Sequence, residues 1–163
     1  MDIFITGTDT DVGKTIVTAG LAAVMQGLGY SVGVYKPVQS GALTINNKLI
    51  APDLRFVKHI DSNILTKSTY KLRQPLSPAL AATLDNVRIN KSFFVRDYTA
   101  FKKYCDIVLV EGAGGLLVPV YENFLIRDLV KTLNLPLLIV ARPNRGTINH
   151  TLLTIEAAKT FGI

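Results

Sequence analysis

One of the 163 residues is cysteine and none is tryptophan. Cys105 alone cannot close an internal disulfide, so the chain has to rely on an ordinary core. Beside Asp106 at the mouth of an apolar run, its expected role is that of a small buried hydrophobe rather than a nucleophile. No apolar run approaches the roughly 20 residues that a membrane-spanning helix needs. A charged and apolar leader is also missing, because the first strand begins almost at Met1, and the expected location is the cytoplasm. The formal charge is +6 with aromatics at 8%, yet lysines and arginines are scattered and never interleaved with aromatic side chains. Nucleic acid is therefore not an expected partner, and the charge suits a protein that handles small anions. Repeats, low-complexity tracts and linkers are lacking as well, so residues 1–163 read as one domain.

What the chain does have is apolar residues in short bursts. At 48% hydrophobic content, such bursts suit parallel strands buried on both faces. The first, Ile3-Phe4-Ile5, runs into Gly7-Thr8-Asp9-Thr10-Asp11-Val12-Gly13-Lys14-Thr15 and then into a helical pattern. Val17, Leu21, Val24, Met25 and Leu28 recur at the spacing that puts them on one helix face. Strand, glycine loop and helix in that order make an anion site, since loop and helix N–H groups point at the ligand and the helix dipole favours its charge. Asp11, Val12, Gly13, Lys14, Thr15 and Ile16 are its expected nucleotide contacts, with Lys14 reaching the β/γ-phosphates and the Thr15 hydroxyl on Mg²⁺. The strict phosphate-loop pattern requires glycine at position 8, where Thr8 stands and Gly7 comes one place early. A bare Gly-Lys-Thr would read as a tight turn with an exposed lysine; the flanking strand and helix favour phosphate binding.

Further along, Ser31 to Tyr35 predicts a second strand ending at Lys36-Pro37, because proline disfavours helix at the residue before it. Lys36 thus falls at a strand's carboxyl end, the edge where α/β sheets bind ligands. Asp53 reads as a carboxylate in the first turn of a helix. Residues 63–90 have the least regular pattern and predict a long excursion over that edge, with a short helix from Ala79 to Leu84. A helix from Ser92 to Tyr104 should bury Phe94, Tyr98, Phe101 and Tyr104. The run Asp106 to Val110 then delivers Glu111 at its end, followed by Gly112-Ala113-Gly114-Gly115. A carboxylate there is where phosphate-loop proteins keep a second Mg²⁺ contact, and the glycines allow close backbone approach. A helix with Ile126, Leu129, Val130 and Leu133 on one face, a strand from Leu137 to Ala141, and a final helix opened by Gly146-Thr147-Ile148-Asn149-His150 and capped by Gly162 complete the chain. Four parallel strands are visible.

Taken together and in this order, Gly7 to Thr15, Tyr35-Lys36-Pro37-Val38-x-Ser40-Gly41, Ser77-Pro78, Val110 to Gly115 and Gly146 to His150 resemble the dethiobiotin synthetases. That family usually has threonine where Thr8 stands. The resemblance implies an α/β fold with a phosphate-loop-containing, mostly parallel sheet, helices on both faces, and a C-terminal part that this chain does not include. It also implies an ATP-dependent carboxylation and ring closure of 7,8-diaminononanoate with CO₂ or bicarbonate. The products are dethiobiotin, ADP and phosphate.

By position, the resemblance makes Lys14 and Lys36 catalytic, with Lys36 holding the carbamate and the moving phosphoryl group. Thr15, Asp53 and Glu111 would ligate Mg²⁺, and Asp53, Glu111, Gly112, Ala113 and Gly114 would line the nucleotide. Thr10 and Ser40 would contact the diamine end. Gly146, Thr147, Ile148 and Asn149 would hold the substrate carboxylate across a homodimer; the alternative is that Thr147 or Asn149 simply caps the helix. Asn144-Arg145 depart from the small and apolar residues usual there. The family's chain runs past Ile163 into a strand and an Asn-Asp loop at the adenine.

Two other functions fit the same loop. A partition-type ATPase switch would carry an extra lysine early in the loop, and there is none between Gly7 and Gly13. A nucleotide-binding remnant without activity is the second. An amidating synthetase would need a glutaminase domain for which 163 residues leave no room.

Overall fold

In the computed structural model, which describes residues 1–163, strands and helices alternate. The order is β1 (Ile3–Gly7), α1 (Lys14–Gly27), β2 (Val32–Gln39), a hairpin of β3 (Leu43–Ile45) and β4 (Lys48–Ile50), and α2 (Pro52–Ile60). Then follow β5 (Leu65–Lys71), α3 (Pro78–Leu84), α4 (Lys91–Lys102) and β6 (Ile107–Gly115). A second hairpin, β7 (Pro119–Tyr121) and β8 (Phe124–Leu125), leads to α5 (Ile126–Leu133), β9 (Leu137–Val140) and α6 (Thr147–Thr160). The central sheet is parallel throughout, in the order β5-β2-β6-β1-β9.

Successive side chains on a strand point to opposite faces, and the sheet uses that alternation to build two cores. Ile5, Val32, Val34, Ile107 and Leu109 pack under α1 and α2. Phe4, Tyr35, Val108 and Val110 pack on the other side with α3, α4 and α5. Helices on both faces explain why the strands read as continuous apolar runs. From β1 the chain crosses to β2 on one side of the sheet, and from β6 it crosses to β9 on the other. The reversal between β6 and β1 opens the carboxyl edge for a ligand.

Several expectations change. The sheet has five strands, not four, because Leu65–Lys71 within the supposed excursion forms β5 on the outer flank of β2. As an edge strand it has one neighbour and mostly polar residues, so it carries no continuous apolar signal. Strand β2 also continues through Pro37 to Gln39. Its pairing with β6 extends only to Tyr35, so the proline nitrogen owes no bond to that neighbour. Helix α1 buries Thr18, Ala19 and Ala22 against the sheet, with Val17, Leu21 and Met25 of the expected stripe packed partly buried beside them, while Val24 and Leu28 are 63% and 72% exposed. Small side chains let the helix lie close on the sheet. On α4, Phe94 and Tyr98 are buried and Phe101 partly so, but Tyr104 lies past the helix end and is 71% exposed. Gly162 does cap α6, with φ +69° and the N–H groups of Gly162 and Ile163 donating to the Lys159 and Ala158 carbonyls. No helix is long and apolar enough to cross a membrane.

The amino edge of the sheet is fastened by a buried charge. Asp2, 4% exposed, accepts from the Val108 N–H at 3.0 Å and from the Tyr98 hydroxyl, and pairs with Lys102 Nζ at 2.6 Å. Burial alone would raise its pKa, but the bonds from Lys102, Tyr98 and Val108 outweigh it and hold the pKa below the ordinary value. A carboxyl whose folded pKa is depressed adds stability above its unfolded value, and that stability is lost as pH falls through the folded one. Asp2→Asn should therefore cost about 1.5–3 kcal/mol at pH 7. The difference from the unsubstituted chain, measured by urea unfolding, should shrink below about pH 4. Equal differences at pH 7 and pH 3 would contradict this account.

Candidate active site

The carboxyl ends of β1, β2 and β6 and the first turns of α1 and α2 converge on a cleft of about 680 Å³. Alternation along the strands fixes what enters it. Val34 and Leu109 are register partners on the α1/α2 face, so Lys36 and Glu111, two residues further on, emerge side by side on that face. There Thr15 in the first turn of α1 and Asp53 in the first turn of α2 meet them.

Four side chains close into one cluster. Lys36 Nζ lies 2.8 Å from Glu111 Oε1 and 2.6 Å from Asp53 Oδ2, and it also donates to the Gly112 carbonyl at 3.1 Å. The Thr15 hydroxyl donates to the same Glu111 Oε1 at 2.9 Å. Lys36 is 4% exposed and Glu111 1%. Burial disfavours the Lys36 charge, but Glu111 and Asp53 more than compensate and hold its pKa above the ordinary lysine value. Lys36 is thus a fixed cation at neutral pH.

Strand β1 ends in the glycine loop. An alanine Cβ at Gly7 would lie 2.6 Å from the Asp9 carbonyl and 2.7 Å from a Val12 methyl, so only glycine fits where the loop folds back. Gly13, at φ +98°, starts α1 in the left-handed region that glycine tolerates best. Lys14 bends back over the loop and donates to the Asp9 carbonyl at 2.9 Å. Burial and, second, the Lys36 charge push its pKa down, and an anion against it would offset both effects.

The donors around Glu111 suit a hard divalent cation such as Mg²⁺: a hydroxyl and two carboxylates, all oxygen. Glu111 Oε2 is buried without a protein partner, and an ammonium already lies between the two carboxylates. Thr15, Asp53 and Glu111 therefore fit the group the loop implies.

The sequence-predicted residues divide in two. Thr10, Asp11, Gly13, Lys14, Thr15 and Ile16 line the cleft, as do Lys36, Ser40, Asp53, Glu111, Ala113 and Gly114. Val12 packs into the core and Gly112 contributes its carbonyl to Lys36. Gly146, Ile148 and Asn149 lie exposed at the start of α6, with Thr147 half-buried, and none of them reaches the cleft of their own chain. Gly146 is the N-cap, and no side chain caps the helix. Sequence reasoning missed Arg142, whose guanidinium pairs with Asp9 at 2.7 Å and braces the loop from the end of β9. It also missed Gln39, buried at the end of β2 and lining the cleft. Position next to a strand's carboxyl end was the one available signal for both.

The family model described as an AAA domain matches residues 1–163. A protein of Anoxybacillus flavithermus named ATP-dependent dethiobiotin synthetase is 49% identical over 98% of this chain and 73% of its own length. Proteins of the same name from Bacillus thuringiensis strain Al Hakam and Bacillus cereus strain 03BB102 are each 42% identical. The chain spans 66% of the length of these two relatives. Among solved structures, the kinase domain of Escherichia coli tyrosine kinase ETK superimposes with a TM-score of 0.60 at 17% identity, covering 99% of this chain and 63% of that one. The signal recognition particle receptor FtsY of Elizabethkingia anophelis gives 0.56 at 17% identity, covering 97% and 47%. These two likenesses establish a phosphate-loop α/β fold and nothing finer. With a glycine loop, Lys36 and Glu111 at one sheet edge, and 49% identity along nearly its whole length, the chain belongs to the dethiobiotin synthetase family.

Proposed function

We propose that this protein uses ATP to carboxylate 7,8-diaminononanoate and close it to dethiobiotin. The observation that carries the reading is the buried Lys36 cation held at the glycine loop's edge beside Lys14, where a phosphoryl group and a carbamate would meet. One substrate amine bonds to CO₂ and loses a proton, giving a carbamate. A carbamate oxygen attacks the γ-phosphorus, the bond to the bridging oxygen breaks, and ADP leaves. The second amine then attacks the carbonyl carbon of the mixed anhydride. Phosphate leaves with the electrons of the C–O bond, and loss of the amine proton completes the ring.

No protein nucleophile is required, so the site works by position and charge. The loop N–H groups from Asp11 to Ile16 and Lys14 hold the phosphates, and Gly112 to Gly114 lie along the nucleotide. Lys36 faces the carbamate and the transferring phosphoryl, while Thr10 and Ser40 lie toward the diamine. Thr15, Asp53 and Glu111 would hold Mg²⁺, which when bound neutralises phosphate oxygens. The start of α6, Gly146 to Asn149, offers free N–H groups and would receive the substrate carboxylate in a second copy of the chain. Ile148, Leu152 and Leu153, 75%, 55% and 61% exposed, give that helix an apolar face for the contact.

The test is dethiobiotin formation from the diamine, bicarbonate and MgATP, with ADP measured alongside. ATP hydrolysis without dethiobiotin would reject the synthetase reading. In sedimentation the protein should run as a dimer; a monomer with full turnover would rule out the role of α6.

A further inference from the structure

Gln39 is 5% exposed, lines the cleft, and belongs to no role assigned above. Val38 packs in the same layer as Tyr35 three residues earlier. Gln39, two residues past Pro37, lines the cleft. Its amide orientation is fixed by chemistry: the atom 2.9 Å from the Ser40 carbonyl must be the donor Nε2, since a carbonyl only accepts. The other terminal atom, Oε1, is buried with no protein partner, and the neighbouring Ser40 hydroxyl is in the same condition. An acceptor left unpaired in a buried site is costly, and a ligand with an N–H donor removes that cost.

A triphosphate cannot do so, because its oxygens are acceptors. A nucleoside base has N–H groups, but it lies at the far end of the triphosphate from the γ-phosphate position that Lys14 and Lys36 mark. A primary amine is the donor that belongs at this end of the cleft. We infer that the Gln39 side-chain carbonyl accepts a hydrogen bond from a substrate amine, making Gln39 a specificity-determining residue for the diamine. The inference rests on the proposed function.

Calorimetric titration of the full chain with 7,8-diaminononanoate and, separately, with MgATP tests it. Gln39→Ala should bind the diamine at least about tenfold more weakly and MgATP unchanged. Gln39→Glu keeps an acceptor oxygen and should keep diamine binding. Its carboxylate favours the protonated amine, so the pH profile of turnover should move to higher pH. Unchanged diamine affinity in Gln39→Ala overturns the inference, and so does a parallel loss of MgATP, which would mark Gln39 as structural. If the unsubstituted chain binds the diamine but forms no dethiobiotin, the functional reading fails while the Gln39 comparison still decides. If it does not bind the diamine at all, both fail.

Discussion

Replacing Lys36 with alanine should lower dethiobiotin formation by at least about 10²–10³-fold, the range for losing one directed charge on a transition state. ATP affinity should stay within a few-fold, because Lys36 faces the transferring phosphoryl rather than the α- and β-phosphates. The fold predicts a second effect. Lys36 is the shared partner of Asp53 and Glu111, and its removal leaves a carboxylate at 1% exposure without its cation. Breaking a buried pair costs about 3–5 kcal/mol, with the lower end expected because the Asp53 side chain is 25% exposed. Thermal unfolding should therefore fall, and added Mg²⁺ should recover part of the loss in the variant. The raised Lys36 pKa means that its contribution is fully present below the unfolded lysine pKa and is lost only as pH rises through the folded value. Stability from this cluster should thus be flat across neutral pH. Lost ATP affinity with normal turnover at saturation would overturn the assignment of Lys36.

Gly7→Ala should abolish useful nucleotide binding. Its Cβ would meet the Asp9 carbonyl at 2.6 Å, a Val12 methyl at 2.7 Å and Lys14 Nζ at 2.9 Å. The lysine end can move, but the carbonyl cannot without displacing the loop. A shift of about 1 Å in a positioning element is enough for a roughly 100-fold loss, and overpacking should cost about 1–3 kcal/mol of stability. The control is Gly20→Ala in the interior of α1, where an added Cβ meets nothing within 4 Å. That change should stabilise the fold by up to about 1 kcal/mol and leave ATP binding alone. Calorimetry with MgATP separates the two variants; full affinity in Gly7→Ala would show that the loop accommodates the methyl group.

The carboxyl-edge residues were legible from local signals, although β2 and β6 run on past them to Gln39 and Gly115. Lys36 precedes a proline and Glu111 closes an apolar run, so each could be placed on the ligand edge from one dimension. Helix α5 was legible for a similar reason: its apolar stripe at Ile126, Leu129, Val130 and Leu133 is the one the core covers. Helix α1 was legible in part: Val17, Leu21 and Met25 of its stripe pack against the core, but its most buried residues there are the small Thr18, Ala19 and Ala22, and Val24 and Leu28 face outward. Hydrophobic spacing reports size and polarity, whereas close helix-to-sheet packing selects for small volume. Strand β5 was hidden because one flank of it has no neighbouring strand, and an edge can be polar.

The alternation of strand and helix, the glycine loop and the family depend on local pattern and on motifs along the chain, and so could be read from residue order alone. Folding was needed to bring Lys36 between Asp53 and Glu111, to set Arg142 against Asp9 across 133 positions, and to place Gln39 at the cleft. Those pairings follow from strand register and from which helix covers which face. Such quantities arise when separate segments pack, and no residue carries them alone.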